Sequence, residues 1–399
     1  MSQESLVGHV RPRVTAPLSG RDPSEAHRAA TPLELFFDLV FVVAVALASE
    51  GLHHGVAEGH AAEAVLSFAL VFFAIYWAWV NFTWFASAYD NDDVVYRLAV
   101  FLTMTGALVF AAGVPAVFED FDFRLAVLGY AVMRVALVLQ WLRVARSGAR
   151  RRAGALRFVV GLSAVQVGWL VALLLPDSWW VPVWLTLAVG ELVVPIWSEY
   201  GSRTPWHPNH IRERYGLFMM IVLGESVLAA SRAIQAALSD GDAGRELAPV
   251  VVGGLLILFA LWWVYFERPD DDLRTLRQSF TWSYLHLLIF ASVAAVGAGL
   301  AVAIEHATHH GEIGDVAAGA SVAVPVAIFL LSTLALYARR PDAGLGRVVL
   351  PAAAVAVGLA VLTPWPVLAI GVVLLCLAAL KTVARLRRGG PGQAVVSGP

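Results

Sequence analysis

Residues 63–87 read EAVLSFALVFFAIYWAWVNFTWFAS, with one charged side chain, Glu63, and neither Gly nor Pro. As a helix rising about 1.5 Å per residue, a stretch this long and this apolar covers the roughly 30 Å of hydrocarbon in a bilayer. Eleven more stretches read the same way: 33–52, 94–117, 124–145, 156–175, 179–199, 211–235, 247–266, 279–303, 319–338, 347–363 and 366–384. The last two are divided only by Thr363-Pro364-Trp365-Pro366, which reads as a tight turn. Over 399 residues the chain is 59% apolar and 15% charged, with a mean hydropathy of +0.72. Soluble domains run near 45–50% apolar and about 25% charged, and disordered chains are more polar still. The fold class is therefore all-α: a polytopic membrane bundle of about twelve transmembrane helices, with the lipid bilayer as its surroundings.

The connections between these stretches assign an orientation. With the N-terminus inside, 24 of the 28 basic residues fall on the inner side and three, Arg124, Arg232 and Arg245, on the outer. The remaining one, Arg134, lies within a span. Such sorting is what the positive-inside rule expects of a correct count. It predicts a multi-pass protein of the cell membrane with both termini cytoplasmic. The first thirty residues carry no apolar run of the signal-peptide kind. Residues 1–30 and 387–399 read as disordered cytoplasmic tails.

A weak internal period is present. Trp79-Val80-Asn81-Phe82 and Trp263-Val264-Tyr265-Phe266 stand 184 residues apart, and each precedes an acidic cluster, Asp90–Asp93 and Asp270–Asp272. The same shift lays Gly113 on Gly297 and Pro182-Val183 on Pro366-Val367. Two halves of six spans, 31–200 and 201–386, would keep one orientation and form a parallel repeat of the kind found among transporters.

Ionisable groups inside a bilayer cost roughly 2.5–3.5 kcal/mol each, so they face protein or water and mark function or pairing. The candidates are Glu34, Asp38, Arg134, Glu191, Glu225 and His286, with Asn81 as a neutral companion. Counted from the nearest cytoplasmic helix end, all of these but Glu34, which stands at the start of its span, fall in one layer roughly 9–16 Å deep. Glu34 and Asp38 are one helical turn apart, so they titrate as a coupled pair unless a cation sits between them. Thr31-Pro32-Leu33-Glu34 also reads as a capping box, giving Glu34 a structural use. Arg134 needs a carboxylate, and Glu191 or Glu225 is expected to supply it. The tryptophans near the span ends (Trp77, Trp79, Trp84, Trp179, Trp180 and Trp184) read mostly as interface anchors.

Other chemistry is thinly represented. His306-x-x-His309 has a zinc-like spacing, but His306, His309 and His310, like His53, His54 and His60, read first as polar loop. The single cysteine, Cys376, excludes a disulfide framework or a Cys-rich metal site. No hydrolase elbow, zinc-protease helix or phosphate-binding loop occurs, so no catalytic residue and no cofactor is assigned. A net charge of −2 gives no warrant for nucleic acid as a partner.

Two strings resemble a known family. Thr31-Pro32-Leu33-Glu34-Leu35-Phe36-Phe37-Asp38-Leu39-Val40-Phe41-Val42 resembles the opening signature of the bacterial low temperature requirement protein A (LtrA) family. The second signature is resembled by residues 210–226, HIRERYGLFMMIVLGES. The resemblance implies an integral membrane protein linked by name to growth in the cold, and carries no substrate. Phe37-Asp38 is also similar to the Phe-Ser-Asp first-helix motif of two-repeat potassium channels, with Phe in place of the Ser.

The functional expectation is a transporter or channel for an ion or small solute. In it Glu34 and Asp38 line a path, Glu225 binds a cation or proton, and Arg134 sets affinity. Two other classes stand beside it: a structural, sensory or partner-binding membrane protein that docks through its Asp clusters, and a membrane-embedded enzyme acting on lipid through Glu225 and Ser226.

Overall fold

The structure, a computed structural model, describes residues 14–23, 25, 28–239, 247–267, 273, 275–308, 313–337 and 344–388. Among the described residues there are twelve α-helices and no strand. They are α1 (Pro32–Ala57), α2 (Ala61–Tyr89), α3 (Val94–Glu119), α4 (Arg124–Ser147), α5 (Ala149–Ala172) and α6 (Trp180–Glu199), then α7 (Pro208–Ser239), α8 (Leu247–Phe266), α9 (Leu276–Ala307), α10 (Asp315–Tyr337), α11 (Gly346–Ala360) and α12 (Pro366–Arg388). Eleven are long and apolar enough to cross a membrane. The exception is α11: its 15 residues extend about 22 Å, short of a hydrocarbon core. The span expected over 347–363 ends early because residues 361–365 turn ahead of Pro366.

The helix starts follow local chemistry. Proline occupies the first position of α1, α7 and α12, where its missing N–H costs nothing. The expected capping box opens α1: Thr31 N–H donates to Glu34 at 2.8 Å, and Glu34 N–H donates to the Thr31 hydroxyl at 3.3 Å. Asp93 caps α3 by accepting the Tyr96 N–H at 2.6 Å. Helix α7 begins three residues before the expected span, which places His210 on the helix and Arg214 in its second turn.

Two compact units result, one of residues 1–44, 74–116 and 122–214, the other of 45–73, 117–121 and 215–399. In the first, α4 packs on α5 and α5 on α6. The α3–α4 contact is close enough that a Cβ on Gly129 would lie 2.2 Å from the Phe110 nitrogen, a small-residue approach typical of membrane helices. In the second, α9 packs on α10 and α8 on α12. A Cβ on Gly299 would come within 2.1 Å of the Ser321 carbonyl oxygen. Large apolar side chains such as Leu98, Leu128, Val160, Phe259 and Val355 are exposed, as a lipid-facing surface requires.

The segment expected to be a disordered tail is partly held. Ala16 N–H donates to Asp93 at 2.8 Å, Leu18 N–H to the Ser147 hydroxyl at 2.9 Å, and Arg21 N–H to the Ala88 carbonyl at 2.9 Å. Leu18 is buried.

Candidate functional site

In the first unit, the carboxylates of α1 meet the start of α7. Asp38, fully buried, accepts the Trp79 indole N–H at 2.7 Å. Arg214 grips it with Nη2 at 2.6 Å and Nε at 3.1 Å, the two-pronged geometry a guanidinium makes with a carboxylate. Nη1 of Arg214 lies 3.1 Å from Glu34 Oε1. The cation that the Glu34–Asp38 spacing calls for is thus Arg214. His210 Nε2 stands 3.2 Å from Glu34 Oε2, and Arg28 Nη2 lies 3.7 Å from Glu34 Oε1. Arg28 also donates to the Ser87 carbonyl and, at 2.7 Å, to that of Ala86. It thereby caps the end of α2, where the helix dipole favours a cation.

A separate network joins α2, α4, α5 and α6. Arg134 Nη2 donates to Glu191 Oε2 at 2.9 Å and to the Tyr130 hydroxyl. Glu191 also accepts from Tyr130 at 3.0 Å, Trp77 at 3.1 Å and Trp169 at 3.3 Å. Its lone pairs are therefore saturated. Of the two expected carboxylates, Glu191 is the partner of Arg134. Beside this pair, a cavity of about 20 Å³ is lined by residues including Thr103, Arg134 and Gln140, room for one water. Trp77 and Trp79, read from sequence as interface anchors, are instead buried. Two residues apart on α2, they point to opposite faces and serve different carboxylates.

The remaining candidates do not join these networks. Asn81 turns its amide onto its own helix, donating to the Trp77 carbonyl at 2.6 Å. In the second unit, His286 is fully buried, bonds the Trp282 carbonyl at 2.7 Å and is ringed by Tyr215, Tyr265, Trp282 and Phe290. Glu225 has 9% exposure and, among the described residues, no hydrogen bond or ion pair; the charges acting on it are Arg232 and Glu50. On the neighbouring residue, the Ser226 hydroxyl donates to the Val293 carbonyl at 3.0 Å, binding α7 to α9.

The first acidic cluster is largely taken up by arginines, with Asp92 alone exposed. Asp93 is buried and pairs with Arg143 at 2.5 Å, Asp92 pairs with Arg97 at 2.6 Å, and Asp90 is buried 4.0 Å from Arg28. Burial pushes the Asp90 carboxyl up to about 6, with Glu34 adding to the effect and the Asp92 N–H and Arg28 opposing it. The second cluster, Asp270–Asp272, lies outside the described residues, as do His309 and His310. His306 pairs with Asp315 at 2.8 Å and His53 with Glu305 at 2.7 Å. Among the described residues no three His, Cys, Asp or Glu side chains form a metal-holding group.

Arg28, His210 and Arg214 are not legible as partners in the sequence because Arg28 falls in the tail and His210 and Arg214 fall at the cytoplasmic margin of a span, where basic residues are counted with the connection. The usable signal was charge balance: two acids a turn apart in an apolar helix require cations from elsewhere.

A chain that is all-helical over its described residues, with eleven membrane-length apolar helices and most of the ionisable groups inside them paired, is a polytopic integral membrane protein. The family model of the bacterial low temperature requirement A protein (LtrA) matches residues 29–382. The chain belongs to that family. It is also 28% identical over 304 residues, 71% of this chain and 72% of the relative, to the uncharacterized protein RA0937 of Rhizobium meliloti (strain 1021).

Proposed function

We propose that this protein is a transporter or channel of the cell membrane for an ion or small solute, with both termini cytoplasmic. The observation that carries the reading is Glu225. A carboxylate in the body of a membrane helix with no partner among the described residues is too costly to serve packing alone. It is suited to binding a cation or proton that comes and goes. Glu34 and Asp38 in the Arg214 network would line the path. Asn81, Arg134, Glu191 and His286 would support it. The parallel six-helix repeat read from sequence, with halves 31–200 and 201–386, is the arrangement this proposal uses. The test is flux of protons, alkali cations and small solutes into liposomes holding the purified protein. Glu225→Gln should remove the flux while leaving folded yield unchanged, and a wild type inactive under every gradient defeats the reading.

A structural or partner-binding role is favoured by one observation, the saturation of Glu191 by four donors. A group so fully satisfied has little left to offer a passing solute. If apolar replacement of both Arg134 and Glu191 preserves flux, that pair belongs to packing.

A further inference from the structure

Charge counting in the α1–α7 network leaves a remainder. Two guanidiniums, Arg28 and Arg214, face three buried carboxyls, Glu34, Asp38 and Asp90. Nearby charges pair off, Arg21 with Glu25, Arg97 with Asp92 and Arg143 with Asp93; further out, Arg151 lies over the Tyr89 ring, Glu199 binds Thr204 and Glu213 accepts the Ala30 N–H. One surplus negative charge in so dry a place calls for one cation. His210 is a poor host for it. Its Nε2 faces Glu34, but its Nδ1 is buried with no hydrogen-bond partner. Protonating the ring on both nitrogens would bury an unsatisfied N–H.

Asp90 is the better host. It is the least engaged of the three carboxyls: Oδ1 accepts the Asp92 N–H at 2.9 Å, and Oδ2 is 4.0 Å from Arg28 Nη2, beyond hydrogen-bond reach, while Arg28 Nη1 and Nη2 donate to the α2 carbonyls. Tyr96 adds a second sign that the site is built for a small polar occupant. Its hydroxyl is buried, lacks any hydrogen bond, and lies within electrostatic reach of Asp90, Glu34, Arg28 and Arg214. We infer that Asp90 is the site of one exchangeable proton, carried on its carboxyl between α2 and α3, which neutralises the Arg28–Glu34–Asp38–Arg214 network. Joined to the proposed transport function, on which this step rests, the site makes the proton the ion coupled to transport. No other co-reactant is needed. Release gives a carboxylate and a proton to water, and uptake reverses it.

The test is infrared difference spectroscopy of the full chain in lipid nanodiscs, following the C=O stretch of protonated carboxylic acids as pH rises from about 4.5 to about 8. The carboxylic-acid signals that the wild type loses over this range should include one from Asp90, and that signal should shift in heavy water. Asp90→Asn, which mimics the protonated form and so keeps the fold, should abolish it. Asp92→Asn, altering the exposed neighbour, should leave it in place. Wild-type and Asp90→Asn spectra that superimpose at every pH overturn the proposal, as does loss of the signal in Asp92→Asn alone. Proton flux into liposomes is read separately. A carboxyl signal without flux keeps the proton site and removes the transport reading; flux with superimposing spectra does the reverse.

Discussion

A single pair of residues separates packing from mechanism most sharply. Arg134 and Glu191 are both buried, 2.9 Å apart. Arg134→Leu strands the carboxylate and should cost on the order of 3–5 kcal/mol, seen as a fall in melting temperature and in monodisperse yield in detergent. Replacing both by Leu should recover most of that loss. Asp90 gives a pH-dependent counterpart. Its folded-state value, about 6, lies above that of an unfolded Asp, near 3.9. The stability it contributes is therefore fully present below about pH 4 and is lost as pH rises through about 6. Asp90→Asn should remove that decline from a melting-temperature series. That Arg134 must own a carboxylate was legible in the sequence, since a permanent charge cannot sit alone in hydrocarbon. Which carboxylate was not, because depth along a helix can be counted but lateral neighbours cannot. Asp38 and Arg214, 176 positions apart, show the same blindness more strongly: hydropathy places Arg214 only at the cytoplasmic margin of its span, and only folding brings it against α1.

At the scale of helices, apolar length predicts existence well and ends poorly. Eleven of twelve stretches became membrane-length helices, whereas α5 starts at Ala149 rather than 156 because its Arg-rich first turns stay helical beyond the apolar run. Contacts between helices depend on small residues that hydropathy scarcely registers. Gly129→Val would drive its side chain into the α3 backbone, where even a Cβ would lie 2.2 Å from Phe110 N. Folded yield should drop severely, as size-exclusion profiles would reveal. Gly224 is the control: a Cβ there meets nothing within 4 Å. Gly224→Ala should be tolerated or stabilising by about 0.5–1 kcal/mol, the usual gain of removing a helical glycine, measured by thermal melting.

At the scale of the whole chain, the distribution of arginine predicts both termini in the cytoplasm, even though α11 alone is too short to cross unaided. Fluorescent-protein and alkaline-phosphatase fusions would decide this. A reporter after residue 388 should fluoresce and lack phosphatase activity, and one placed at Thr363 should do the opposite. The long reach between Asp38 and Arg214 also sets a timetable for biosynthesis. At 5–20 residues per second, the ribosome needs roughly 9–35 s after making Asp38 before Arg214 exists. During that interval the nascent first helix lacks the guanidinium that will grip it. It must wait at the insertion machinery, or enter lipid with its acid neutralised by hydrogen ions. A chain arrested before residue 214 would therefore remain a client of quality-control proteases, however many apolar helices it had already completed.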